Sequence, residues 1–139
     1  NERAGLGAAA AAGTRIALED VTELARERGA ADDPVVRQRI AQLAIEVELL
    51  RLNSWRGLTR IMKHGVPGPE GSLPKLQWSN INQELTELAV EILGEDGVAW
   101  DSPWTYRLLR SRANSIEGGT TEILKNIIAE RVLGLPKLR

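Results

Sequence analysis

The sequence predicts an all-α protein, an up-and-down four-helix bundle with an additional C-terminal helix. Apolar residues recur at intervals of three and four over stretches of up to about 30 residues, and no stretch alternates apolar and polar residues as a half-buried strand would. The breaks between these stretches are glycine and proline clusters placed where helix ends belong. With 139 residues, 42% of them hydrophobic, the chain suits one domain, residues 1–139, built on one core.

The first helix runs from Glu2 to about Arg28, with Ile16, Leu18, Val21, Leu24 and Ala25 on its apolar side and Gly29 as its C-cap. Its opening half sets Gly5, Gly7 and Gly13 around the alanines Ala8 to Ala12, although each glycine costs ~1 kcal/mol against alanine inside a helix. Such small side chains permit close helix packing, or leave room beside the helix for a flat ring or an acyl chain. Asp33 and Pro34 then start a second helix as N-cap and first helical residue. Val36, Ile40, Leu43, Val47 and Leu50 form its seam, which continues through Leu58 to Ile61. About 30 residues at ~1.5 Å each make a rod of roughly 45 Å. A rod of that length needs long partners, within the chain or from another subunit.

The stretch His64 to Ser72 holds two prolines and three glycines and is expected to be a loop, with His64 a surface residue. Trp78, Ile81, Leu85, Leu88 and Ile92 space a third helix that ends at Gly94, and Gln83, Glu84, Glu87 and Glu91 form its polar face. After a turn at Glu95-Asp96-Gly97, Ser102-Pro103 opens a shorter fourth helix carrying Trp104, Leu108 and Leu109. A fifth helix runs from about Thr121 to Leu133, stopped by Gly134 and Pro136. The four tryptophans, with no phenylalanine, are read as filling the core and a subunit interface rather than as ligand stackers.

A net charge of −1, from 18 basic and 19 acidic residues, argues against a nucleic-acid partner or a membrane surface. Without cysteine, and with one histidine, no metal centre is expected. No apolar run approaches the ~20 residues of a membrane span and no signal-peptide pattern opens the chain, so a cytoplasmic location is expected. The abrupt start at Asn1, without methionine, reads as a fragment of a longer chain.

The most distinctive stretch is Ser115-Ile116-Glu117-Gly118-Gly119-Thr120-Thr121-Glu122-Ile123. Two adjacent glycines permit positive φ and close approach by another molecule, while Thr120 sits where an N-cap belongs, ahead of acidic Glu122. Ile116 to Ile123, together with Asn126-Ile127-Ile128-Ala129-Glu130-Arg131-Val132-Leu133-Gly134-Leu135-Pro136, resembles the C-terminal signature of the acyl-CoA dehydrogenase family. The resemblance extends over the chain, from Asn1-Glu2-Arg3 through Lys75-Leu76 and Glu87-Leu88-Ala89 to the end, and implies a divergent member of the actinobacterial type.

That resemblance implies the C-terminal helical domain of a larger FAD enzyme, a homo- or hetero-oligomer (dimer or tetramer), that converts acyl-CoA to trans-2-enoyl-CoA. A glutamate takes the α-proton and the flavin takes the β-hydride. Most members carry that glutamate in a Tyr-Glu-Gly-Thr turn. Registered on Gly119-Thr120, this chain has Gly118 in the glutamate's place and Glu117 in the tyrosine's. A smaller set carries the base in a Glu-Arg pair on the first helix, so the resemblance makes Glu2 the candidate base and Arg3 and Gly119 substrate contacts. Thr120, Thr121 and Glu122 match the segment that meets the flavin nucleotide, and Arg28 an arginine that reaches a neighbouring subunit's flavin pyrophosphate. Glu91 stands where the family has a glutamine, with Gly94-Glu95 in place of Gly-Gly, and an acid there opposes a pyrophosphate. Two readings follow, a flavin-dependent dehydrogenase and a non-catalytic subunit that completes a partner's flavin site. The Gly-Gly-Thr turn disfavours a third, a ligand-free coiled-coil adaptor.

Overall fold

The computed structural model describes residues 2–137, with side chains from residue 9 onward. Helix α1 (Glu2–Glu27) stops where Gly29 turns left-handed at φ 69°. A single 3₁₀ turn, Ala30–Asp32, leads to Asp33, whose carboxylate accepts from the N–H groups of Val35 (2.7 Å) and Val36 (3.2 Å) and so starts α2 (Pro34–His64). Gly65, at φ 74°, ends α2 by donating to the Ile61 carbonyl.

The third helix starts earlier than its proline and glycine content suggests. Only Pro69–Gly71 forms a separate 3₁₀ turn before α3 (Ser72–Leu93), and Pro74 is tolerated because first-turn N–H groups have no helical acceptor to lose. The turn at Glu95-Asp96-Gly97 is itself one turn of helix, α4 (Glu95–Val98). Helix α5 (Pro103–Ser111) begins at the expected Ser102-Pro103 pair, yet the Ser102 side chain makes no capping bond. Instead the Thr105 hydroxyl donates back, lying 2.6 Å from the Gly97 carbonyl and 2.8 Å from that of Ala99. A 3₁₀ turn, Arg112–Ser115, precedes α6 (Thr121–Ile127). The expected helix to Leu133 is α-helical only to Ile127. It widens into a π turn, Ile128–Val132, closed by Leu133 N–H on the Ile128 carbonyl just before Gly134 goes left-handed at φ 71°. No strand forms among the described residues.

Val21 of α1, Leu43, Val47 and Leu50 of α2, and Ile81, Leu85, Leu88 and Ala89 of α3 make the core, with Trp78 and Trp104 packed against it. Burying a leucine such as Leu85 contributes about 2–3 kcal/mol. Two ion pairs fix the directions. Arg28 just past α1 meets Asp96 just past α3, and Arg39 at the start of α2 meets Glu91 at the end of α3, so α1 and α3 run together and α2 runs against them. Helices α5 and α6 both dock on α3.

Helix α2 carries a second, unburied seam. Ile45, Leu49, Leu52, Trp55 and Met62 lie outward, Trp55 57% and Met62 87% exposed, while Leu43, Val47, Leu50 and Ser54 face the core. The Arg51 guanidinium covers Trp55 at 4.1 Å while it pairs with Glu48. Of the four tryptophans, two therefore fill the core and two, Trp55 and Trp100, do not.

Two glycine substitutions should move stability in opposite directions. A Cβ on Gly97 would stand 2.6 Å from the Val90 carbonyl oxygen and 2.9 Å from Leu93 Cβ, so Gly97→Ala should cost about 1–3 kcal/mol. Gly57, inside α2, has nothing within 4 Å, and Gly57→Ala should add about 0.5–1 kcal/mol. Urea denaturation of both variants checks the pair, and equal shifts would refute the packing described.

Candidate functional site

Beside its apolar stripe, α3 presents a polar one. Lys75, Ser79, Asn82 and Thr86 recur at spacings of four, three and four, so they share a face, and that face meets the segment leading into the Gly118-Gly119 turn. The Lys75 ammonium donates to the carbonyls of Asn114 (2.6 Å) and Gly119 (2.8 Å). Ser79, fully buried, donates to the same Asn114 carbonyl at 2.8 Å. Asn82 donates to the Asn114 side-chain oxygen at 2.7 Å, Gln83 reaches the Ser111 carbonyl, and Thr86 the Ser111 hydroxyl. No buried side-chain nitrogen or oxygen among the described residues lacks a partner, as the cost of burying polar groups requires.

From Asn114 the network passes to Glu117. Asn114 Nδ2 donates to one carboxylate oxygen at 2.7 Å and Arg110 Nη2 to the other at 2.8 Å. The Arg110 bond first, and the Asn114 bond second, hold the Glu117 carboxyl below the usual carboxylate range. With both oxygens engaged and its proton affinity lowered, Glu117 acts as a clamp on the turn and is poorly suited to take a proton from carbon. The turn then runs through Gly118 at φ 64° and Gly119 at φ 111°. Thr120 caps α6, its hydroxyl accepting from Ile123 N–H at 3.3 Å.

Asn82 and Arg110 also line a groove of about 250 Å³ between α1, α3 and α5. Gly13, Ile16 and Ala17 form its α1 side, where open space lies beside Gly13, and Leu85, Trp104 and Tyr106 are among its other walls. Of the small residues that the sequence singles out in α1, Gly13 borders this groove, while Ala11 packs into the core. Since whole ligand pockets span roughly 300–1,000 Å³, this groove suits one part of a ligand. A larger cleft of about 530 Å³ has Arg56, Arg60, Lys63, His64 and Arg131 on its walls, and His64 is exposed there.

Gly119, Thr120, Thr121 and Glu122 stand together at this turn. Arg28 lies elsewhere, past the far end of α1, paired with Asp96 at 2.7 Å with both side chains largely exposed. Glu91 is paired with Arg39, so the acid in the glutamine's place carries its own counter-charge. The side chains of Glu2 and Arg3, the candidate base and substrate contact, lie outside the described residues. Sequence reasoning missed Lys75, Ser79, Asn82, Thr86 and Asn114. Their trace was legible as small or flexible polar side chains at helical spacing beside the apolar stripe. Among the described residues, no group of three or more His, Cys, Asp or Glu could hold a metal ion, and no helix is long and apolar enough to cross a membrane.

This all-α domain has known counterparts. Residues 1–133 match the family model of the acyl-CoA dehydrogenase C-terminal domain, and the chain belongs to that family. It is similar to acyl-CoA dehydrogenase IpdE1 of Mycolicibacterium smegmatis, with 38% identity over 129 residues, 85% of this chain and 30% of the relative. Acyl-CoA dehydrogenase IpdE1 of Mycobacterium tuberculosis is 35% identical over 133 residues, 86% of this chain and 32% of the relative. The chain spans about a third of the length of these relatives. Among solved structures, the Tcur3481-Tcur3483 steroid ACAD superposes with a TM-score of 0.83 at 25% identity, covering 99% of this chain and 38% of that one.

The Glu117 clamp has a defined pH dependence. A carboxyl held below its ordinary value of 4.5 contributes stability that is present above that value and lost as pH falls through the folded-state value. The melting-temperature gap between the parental protein and Glu117→Gln should be steady above pH 4.5 and close on further acidification. A gap that widens in acid would refute the clamp.

Proposed function

We propose that this chain is the C-terminal domain of a longer, cytoplasmic, FAD-dependent acyl-CoA dehydrogenase that desaturates an acyl-CoA thioester between its α and β carbons to give the trans-2-enoyl-CoA. The observation that carries this reading is the clamped Gly118-Gly119-Thr120 turn, which shares Asn82 and Arg110 with a groove bordered on α1 by Gly13, Ile16 and Ala17. FAD, when bound, supplies the acceptor for the β-hydrogen. Thr120, Thr121 and Glu122 would meet its nucleotide and Gly119 the thioester. Positive φ at Gly119 suits that role, because a residue without Cβ lets a flat group come close to the backbone.

In this reading Glu2 takes the α-proton and Arg3 contacts the substrate. The hydrogen bonds from Arg110 and Asn114 lower the proton affinity of the Glu117 carboxylate, which supports a base from elsewhere. The solved relative is a steroid ACAD with two names in its composition, which supports a bulky, sterol-derived acyl group and a hetero-oligomer. The exposed apolar seam of α2 supports a subunit contact there.

Gly118, which stands where most members carry the base, favours the alternative, a subunit that completes a partner's flavin site without turnover of its own. Arg28, the candidate contact to a neighbouring subunit's pyrophosphate, is paired with Asp96, which weighs against that alternative. An exposed pair of this kind is worth under about 1 kcal/mol, so a pyrophosphate could displace it, and the pairing leaves the enzyme reading in front.

In the full-length protein, Glu2→Gln should keep its flavin and bind acyl-CoA yet reduce the flavin ~10²-fold or more slowly, as for loss of a general base. Glu117→Gln should lose much less. Stopped-flow flavin reduction measures both, and a reversed order would sink the Glu2 assignment, while a full-length protein that is colourless until mixed with a co-purified partner favours the non-catalytic reading. Gly119→Val should abolish flavin or substrate binding with little loss of helix content, because a β-branched side chain resists φ near 111°. Flavin absorbance and far-ultraviolet circular dichroism test this together, and unchanged flavin occupancy with an unchanged Michaelis constant rejects it.

A further inference from the structure

The turn is held at both of its ends by one charged side chain of α3. Lys75 Nζ lies 2.6 Å from the Asn114 carbonyl and 2.8 Å from the Gly119 carbonyl, so one ammonium ties together the two ends of the segment that contains Gly118 and Gly119. Its stem lies under the turn, since a Cβ on Gly118 would stand 3.6 Å from Lys75 Cε. The two ends depend on Lys75 unequally. Asn114 O also receives the Ser79 hydroxyl at 2.8 Å, whereas Gly119 O has no other donor among the described residues.

Glycine at φ 111° has no side chain to restrain its peptide plane, so the Lys75 bond sets the direction of the Gly119 carbonyl. In a trans peptide the carbonyl and the following N–H point opposite ways. Drawing Gly119 O toward α3 therefore aims the Thr120 N–H away from α3. A charge-assisted bond is shorter and stronger than a neutral one, which is what holding such a freely rotating peptide requires.

We propose that Lys75 is the positioning residue of the Gly118-Gly119-Thr120 turn, acting through the Gly119–Thr120 peptide to hold the backbone that faces thioester and flavin. This rests on the dehydrogenase reading above.

The test uses the full-length protein with Lys75→Met, which keeps an unbranched apolar stem, and Lys75→Arg, which keeps the charge. Three quantities are read: amide hydrogen exchange of residues 112–123, the visible spectrum of the bound flavin, and flavin reduction by the acyl-CoA that the parental protein oxidises. Lys75→Met should speed exchange in residues 112–123 about tenfold while α1 and α2 exchange as before. It should also alter the flavin band and lower kcat ~10²-fold, with a much smaller change in KM, because misplacing the turn by about 1 Å acts on the reacting geometry. Lys75→Arg should recover most of both effects. Unchanged exchange in residues 112–123, exchange that rises equally throughout the bundle, or a parental kcat and spectrum in Lys75→Met would each overturn the proposal. Absence of flavin reduction by the parental protein would instead overturn the dehydrogenase reading, and the exchange data would still decide whether Lys75 holds the turn.

Discussion

Everything near the turn depends on the Asn114 carbonyl and side chain being received by α3. A backbone carbonyl buried at that depth would cost a few kcal/mol if left alone, and here it accepts from both Lys75 and Ser79. Because the donors sit on the helix that also contributes Ile81, Leu85 and Leu88 to the core, the turn inherits the rigidity of the bundle. A loop held only by its own residues would open at low cost, as surface loops do. Helix α3 thus works on two faces at once. The apolar face sets where α1 and α2 lie, and the polar face sets where α5, the 3₁₀ turn and the glycines lie.

The electrostatics of the domain divide in the same way. The long-range pairs Arg28–Asp96, Arg39–Glu91, Arg107–Asp20 and Arg112–Glu87 are surface pairs, each worth little by itself, that fix which helix ends and faces are neighbours. The Arg110–Glu117 pair is also exposed, but it belongs to a chain of bonds that runs through Asn114 to Asn82 inside the bundle. Its effect is therefore on shape more than on stability. It prevents the carboxylate from swinging, and so decides what the one acid adjacent to the glycines is able to do.

The apolar periodicity of the long helices was legible because burial of one stripe is a property of the sequence itself: the spacing of Val21, Leu43, Val47, Leu50, Ile81, Leu85 and Leu88 alone marks them as core. Helix ends marked by Gly29, Asp33-Pro34, Gly94 and Thr120 were readable for the same local reason. The start of α3 was not, since whether Pro74 breaks or begins a helix depends on where the preceding 3₁₀ turn places it. The turn's glycines and its cap were visible as a motif. The Lys75, Ser79 and Asn82 bonds were not, because a polar residue at helical spacing looks the same whether it faces water or another segment, and only the docking of the Ser111–Gly119 segment on α3 decides between them.

The relation between Gly118 and Glu117 follows from the same docking. The family's common arrangement needs a carboxylate at the Gly118 position, and here that residue is an exposed glycine at φ 64°, a conformation that a residue with Cβ adopts only under strain. The obstacle is the backbone and not space, since a Cβ at Gly118 would lie in ordinary contact with the Lys75 stem, 3.6 Å away. The acid one residue earlier does not compensate, because the bonds that tie it to Arg110 and Asn114 hold it beside α5 and the 3₁₀ turn. A backbone fixed in this way keeps the form of the turn while it gives up the acid. In the dehydrogenase reading proposed above, the base then has to come from another element, because the acid beside the glycines stays tied to α5 and to the 3₁₀ turn.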